Sequence, residues 1–266
     1  MQFRFATWNL NSFRPLAGRI DLIRAVECDL LALQEVTEDS YCRLMDAGLF
    51  AWSTFSLSLR PPQAGEGPGR RLGCALFGKS SFRLVAPALL KEAPFPERTL
   101  AAHLESAAGP LTACSFHAPP GVNWGELKPQ TFRAIAAWLA RQEQALIFGM
   151  DANTPEVDHP DIDQNRWWYK DEAILLGSQA PHRLKDALRV YLHTHAEEME
   201  QILTVRPEGP LAISYTRGKG KQLTPCRYDL ISITPDIEVE NIRYLYSEAL
   251  RAGSDHALVV AGLRIG

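Results

Sequence analysis

Asp255 and His256 stand side by side in "SDHALVV", at the head of the last apolar run of the chain. A buried strand gains nothing from opening on an acid and an imidazole, because burying an unpaired polar or charged group costs free energy. The same oddity recurs along the sequence. "ATWNLNS" carries Asn9 and Asn11, "LLALQEV" carries Glu35, "ACSFHAP" carries His117, "IFGMDANTP" carries Asp151 and Asn153, and "RYDLIS" carries Asp229. Taken singly, these read as turn formers or surface residues, since Asp and Asn bond readily to their own backbone in turns. Taken together, they are carboxylates, amides and two imidazoles at the ends of apolar runs, where a sheet holds side chains rigidly and leaves one side open. An oxygen-rich set suits Mg2+ or Mn2+, hard ions that take few protein ligands and keep several waters.

The elements that must position these residues follow from periodicity. "FRFATWNL" alternates as a strand, and "LLALQEV", "GCALFG", "LTACSFHA", "ALIFGMD", "YDLISIT" and "ALVVAGLRI" are short, nearly continuous apolar runs of the kind found in strands covered on both faces. Helices lie between them. Leu16, Ile20, Ile23 and Val26 share one helical face, and Phe132, Ile135, Ala136 and Leu139 recur at helical spacing in "QTFRAIAAWLARQ". "LKDALRVYL" reads as a further helix. Strands outnumber the helices interspersed among them, which predicts an α/β sandwich of packed sheets with helices outside. A single domain over residues 1–266 is expected, with a flexible surface loop at 59–73 ("LRPPQAGEGPGRRLG") and an insertion near 155–180.

Composition narrows the class. The 266 residues are 46% hydrophobic and 22% charged, enough for a substantial core without metal clips or disulfides. The five cysteines (Cys28, Cys42, Cys74, Cys114 and Cys226) are odd in number and form no C-x-x-C pair, which fits a reducing compartment. A net charge of −3 argues against holding nucleic acid by bulk charge, although a local basic patch suffices. "MQFRFATWNL" lacks the apolar core of a secretory signal, and no apolar run is long enough for a bilayer. A cytoplasmic location without a membrane span is the expectation.

"TWNLNS", "LLALQEV", "GMDAN", "RYDLIS" and "SDHALVV", in that order, resemble the signatures of the endonuclease/exonuclease/phosphatase superfamily, over Thr7 to Val260. The resemblance implies a four-layer α/β sandwich with two central β-sheets flanked by helices, and a Mg2+- or Mn2+-dependent phosphoesterase. It makes Glu35 the principal metal ligand, assisted by Asn9 and Asp255. It makes His256 the general base or phosphate-contacting imidazole, oriented by Asp229; a carboxylate on one ring nitrogen fixes the tautomer and raises the basicity of the other. Asp151 would position the attacking water or assist the leaving group, Asn153 would hold a phosphate oxygen, and His117 would stabilise developing charge or protonate the leaving group. A nuclease acting on DNA or RNA is the leading expectation. The "TWNLNSFRPLAGRIDLI" stretch resembles exonuclease III-type enzymes, but His117 stands where those usually present a tyrosine. A histidine there resembles the deoxyribonuclease, sphingomyelinase and phosphatase branches, so a phosphatase or lipid-headgroup phosphodiesterase is the alternative. A non-catalytic scaffold is a third reading, opposed by the presence of Glu35, Asp151, Asp229 and His256.

Further segments bear on substrate. Arg217, Lys219, Lys221 and Arg227 in "YTRGKGKQLTPCR" read as a cationic loop for substrate phosphates, or as a solvated hairpin tip. Trp167 and Trp168, with Tyr169, would stack on a base or sugar, or else anchor their loop. Asp161, Asp163, Asn165 and Glu172 match positions 1, 3, 5 and 12 of a calcium loop, but Arg166 occupies position 6, where glycine is needed. His193 and His195 lie two apart on a helical stretch and face different ways, which opposes a zinc site. No G-x-S-x-G elbow supports a serine hydrolase.

Overall fold

The computed structural model describes residues 1–11, 16–121, 123–219 and 222–266, less the side chains of Pro68 and Lys219. Two six-stranded sheets pack face to face. The first runs in the order β13 (Ile237–Leu245), β14 (Leu258–Ile265), β1 (Gln2–Asn9), β2 (Leu30–Val36), β4 (Gly73–Gly78) and β3 (Trp52–Phe55). The second runs β5 (Phe82–Ala88), β6 (Thr99–Ser106), β7 (Gly109–His117), β8 (Ala145–Asp151), β12 (Asp229–Ile233) and β9 (Lys185–Asp186). A separate hairpin is formed by β10 (Tyr215–Lys219) and β11 (Gln222–Cys226). β1–β2 and β7–β8 pair in parallel, each across a helical connection, as parallel strands require.

Alternation along the strands builds three apolar layers. Phe3 and Phe5 of β1 meet Leu111 and Ala113 of β7, Ile147 of β8 and Ile231 of β12 between the sheets. On the outside of the first sheet, Ala6, Trp8 and Val260 pack against α1 (Ala17–Val26), α2 (Glu38–Asp46) and α8 (Tyr246–Ala252). On the outside of the second, Phe116, Phe148 and Met150 pack against α4 (Leu127–Leu139) and α5 (Glu172–Leu176). The order helices, sheet, sheet, helices is the four-layer sandwich. α3 (Ser56–Leu59) and α7 (Ala196–Val205) are peripheral, and α6 (Ala187–Thr194) closes one edge of the inter-sheet core with Leu188 and Leu192. No helix of the described residues is long and apolar enough to cross a membrane.

Some boundaries differ from expectation. "LKDALRVYL" splits, because Lys185 and Asp186 pair with β12 while the Asp186 carboxylate accepts from Leu188 N at 3.0 Å and caps α6. The last strand starts at Leu258, so Asp255 and His256 sit in the turn before it. Ser254 fixes that turn: its hydroxyl donates to Asn9 O at 2.7 Å and accepts from His256 N at 3.1 Å. Within 59–73, Pro68–Arg71 form a short 3-10 helix, and Glu66 pairs with Arg60 and, at 3.5 Å, with Arg70.

Gly149 lies where the two sheets approach closely below the polar strand ends. A Cβ there would lie 2.7 Å from both Cβ and Oγ1 of Thr7 on the opposite sheet. Gly149→Ala is expected to lower unfolding free energy by about 1–3 kcal/mol through overpacking, read as a lower urea midpoint at unchanged slope.

Candidate active site

The side chains that point between the sheets converge at one end. On β8, Gly149 and Asp151 face inward, and register sets His117 of β7 on one side of Asp151 and Asp229 of β12 on the other. The facing sheet contributes Asn9 from the end of β1, whose Nδ2 donates to Asp151 Oδ2 across the gap at 2.8 Å. The Ser254 turn then delivers His256, whose backbone carbonyl accepts from Trp8 Nε1 at 2.9 Å. His256 Nδ1 donates to Asp229 Oδ2 at 2.9 Å, and its Nε2 lies 3.9 Å from Asp151 Oδ2. Asn9, His117, Asp151, Asp229 and His256 are all buried.

Glu35 reaches this group only because the backbone breaks its pattern. In regular alternation Gln34 faces inward, bonding Thr7 and Ser115, and Glu35 would face the outer helices. Instead the β2–β4 register shifts between Leu33 and Val36, and Glu35 adopts φ 52°. A left-handed non-glycine residue in a bulge is costly and is a known device for re-aiming a side chain. Glu35 Oε1 thereby comes to 3.5 Å from His117 Nε2. Asn11 (φ 48°) and Asn153 (φ 49°) are also left-handed, a conformation asparagine tolerates. Asn11 Nδ2 donates to Asp255 Oδ1 at 2.8 Å, which ties Asp255 to the same mouth.

Electrostatics separates the two imidazoles. Burial, reinforced by Arg98 and His256, pushes His117 well below its ordinary range, so it is neutral. Arg98 Nη1 donates to His117 Nδ1 at 3.4 Å, which leaves the proton on Nε2. Among the described residues that atom has no hydrogen-bond partner, though it is buried and lies 3.5 Å from Glu35 Oε1 and 3.7 Å from Asp151 Oδ2. His256 behaves oppositely. Burial works against its charge, but Asp229 and then Asp151 overcome this and lift it to about 10, so it is an imidazolium. Asp151 is raised, first by burial and further by Asp229, against the pull of His256.

Asp151, Asp229 and His256 offer ligand atoms within 4.8 Å of one another, but His256 Nδ1 is already engaged by Asp229. The better place for a cation is around Glu35. Its carboxyl is raised by burial and then by Asp151 and Asp255, and a divalent ion would relieve that crowding of carboxylates. The oxygen donors of Glu35 and Asp255 fit a hard ion. Asn9 fits an orienting part, since its Oδ1 accepts from Asn11 N at 2.9 Å while its amide bonds Asp151 and Glu35.

Other expected residues fall elsewhere or in narrower roles. Arg227 is a correction: it is buried, and its guanidinium bonds Asp158 (2.7 and 3.0 Å) and Asp186 (2.6 Å), so it holds the core and does not face substrate. Trp167 is another, for it lines a cavity on the outer face of the second sheet. Trp168 lies under Arg217, whose Cζ is 4.7 Å from the indole centroid. Lys219 is in β10 with its backbone paired to Gln222, and Lys221 lies outside the described residues. Asn153 Nδ2 donates to Ala118 O (3.1 Å) and Asp151 Oδ2 (3.3 Å), so its amide supports Asp151 and has no proton left for a phosphate oxygen. Glu172 forms a buried ion pair with Lys128 at 3.0 Å and accepts from Trp168 N, which removes the twelfth ligand of a calcium loop.

Two residues went unread in the sequence. Arg98 is buried against His117 and lies near the rings of Phe95 and Trp124. Tyr215 stacks on His256, with ring centroids 4.7 Å apart and planes at 29°, and is backed by Tyr228 at 5.6 Å. Tyr215 was legible only as the first letter of the cationic "YTRGKGK".

Residues 6–256 match the Endonuclease/Exonuclease/phosphatase family, and the chain belongs to that family of phosphoesterases. Among solved structures, D. rerio TDP2 complexed with a single-strand DNA product is similar at TM-score 0.70, with 14% identity over 99% of both chains. The human Nocturnin catalytic domain, with bound sulfate, is similar at TM-score 0.66, with 20% identity over 100% of this chain and 94% of that one. ANGEL2, described as a 2′,3′-cyclic phosphatase and bound to adenosine-2′,3′-vanadate, gives TM-score 0.64, with 15% identity over 100% of this chain and 96% of its own. At these identities the likeness is one of fold. No curated protein sequence matches the chain.

Arg227→Ala should strand the buried Asp158 carboxylate and lower stability by about 3–5 kcal/mol in chemical denaturation. Tyr215→Leu is expected to lower kcat by about 10–100-fold with little change in KM, while Tyr215→Phe keeps the stack and near wild-type turnover. Equal rates for the two variants would remove Tyr215 from any part in positioning His256.

Proposed function

We propose that the protein is a divalent-metal-dependent phosphodiester hydrolase acting on DNA or RNA, with the family match supporting one catalytic domain. The observation that carries this is the meeting of Glu35, His117, Asp151, Asp229 and His256 at one end of the inter-sheet layer, with a neutral N–H donor and an imidazolium on either side of a buried carboxylate. Glu35 and Asp255 would hold Mg2+ or Mn2+, which when bound supplies charge for the non-bridging oxygens and a polarised water. Asp151, fixed by Asn9 and by Asn153 N at 3.0 Å, orients the attacking water and accepts its proton. His256, held by Asp229, presents Nε2–H to the phosphate, and His117 presents its own Nε2–H to the charge that develops on oxygen. Arg217, braced on Trp168, would take a neighbouring phosphate or base, which favours a polymer over a small monoester.

A second reading, a phosphatase of the same family, is favoured by His117 and by the likeness to ANGEL2. A panel of single-stranded DNA and RNA oligonucleotides, plasmid, 2′,3′-cyclic nucleotide, phosphoinositide and sphingomyelin separates the two. Hydrolysis of oligonucleotides with Mg2+ or Mn2+, and none with EDTA, is the expected result. Glu35→Ala should lower turnover by about a thousandfold or more at unchanged melting temperature, and His256→Ala should do the same with a lowered melting temperature, because it leaves the buried Asp229 and Asp151 without their cation. Turnover that survives either substitution would sink this mechanism.

A further inference from the structure

A sizeable cavity lies away from the candidate active site. It holds about 510 Å³ and is built on the outer face of the second sheet, with Leu230 and Ser232 of β12 as part of its floor. Asp229 and Ile231 alternate with them and point the other way, between the sheets, so the thickness of the sheet separates the two sites. The volume falls within the roughly 300–1,000 Å³ that small-molecule sites occupy.

Its lining specifies a ligand. Arg227 and Arg189 also border the cavity, but their guanidiniums are closed on Asp158 and Asp186, so that part of the wall offers no unpaired charge. Ser232 is only 7% exposed and its hydroxyl makes no hydrogen bond among the described residues; the Trp167 indole N–H likewise has none. Both groups border the cavity with their hydrogen-bonding capacity open, and a few such polar groups in an apolar wall are what orients a bound small molecule. The walls between them are apolar, from Ile162, Leu176 and Val190. Lys185 and His193 are the exposed lining residues with basic side chains, and neither has an ion-pair partner among the described residues. A flat body with hydrogen-bonding edges belongs inside, and an anionic group belongs at the rim.

We propose that this cavity is a second ligand site, for a mononucleotide, with the base between Trp167 and Val190, its edge on Ser232, and the phosphate at Lys185 and His193. The site is independent of the phosphoesterase chemistry assigned to Glu35 and His256.

Calorimetry with adenosine 5′-monophosphate, adenosine and inorganic phosphate, in EDTA to suppress hydrolysis and cation-dependent binding, tests this. The monophosphate should bind wild-type protein and Glu35→Ala alike, adenosine more weakly, and phosphate alone not at all. Val190→Trp, which puts a bulky ring where the base is proposed to sit, should abolish binding at unchanged melting temperature. Ser232→Ala should weaken it by about threefold to tenfold, the worth of one hydrogen bond. No heat at millimolar nucleotide, or binding that survives Val190→Trp, overturns the proposal. Should Val190→Trp fail to fold, undiminished binding in Ser232→Ala does the same. Binding lost in Glu35→Ala but kept in Val190→Trp would place the nucleotide at the candidate active site, which overturns this inference and leaves the proposed function standing.

Discussion

The buried carboxylate of Asp151 is the constraint around which the polar end of the molecule is organised. A carboxylate out of water survives only with hydrogen bonds and countercharge supplied from fixed positions. Asn9 crosses from the opposite sheet to provide one bond, the Asn153 backbone provides another, and His256 provides the nearby cation. Because these partners come from both sheets and from the turn before the last strand, the packing that closes the sandwich also assembles the site. Folding and chemistry use the same contacts here.

The two imidazoles show how placement divides labour between chemically identical groups. His256 meets two acids and is charged, whereas His117 meets a guanidinium in a dry setting and is neutral. Neither state follows from residue type. Each follows from what the fold places beside the ring: Asp229 and Asp151 at the turn that carries His256, and the Arg98 guanidinium at the end of β7.

Much of this was legible in the sequence because strand alternation exposes misfits: a polar residue closing an apolar run is conspicuous in Asn9, Glu35, His117, Asp151 and Asp229. The layers were legible for the same reason. What stayed hidden depended on distant partners. Arg227 looked like a loop cation, yet Asp158, seventy residues away in round numbers, makes it a core residue. Glu172 fitted a calcium loop until Lys128 claimed it. Tyr215 and Arg98 belong to residue types common at any surface, so only contact with His256 and His117 singles them out. Strands such as β5 and β13 are polar edges whose pattern is weak: Pro87 interrupts one and charged residues alternate loosely in the other.

The Lys128–Glu172 pair also fixes how the segment after Asn153 is attached. Lys128 Nζ donates to Asn153 O at 3.0 Å, while Glu172 accepts from Trp168 N, so α4, the chemistry-bearing loop and the tryptophan segment share one fastening point. That region is therefore not a freely exchangeable module. A transplant of residues 155–180 from a relative would have to bring its own partner on α4, or the graft would loosen the backbone immediately downstream of Asp151 along with itself.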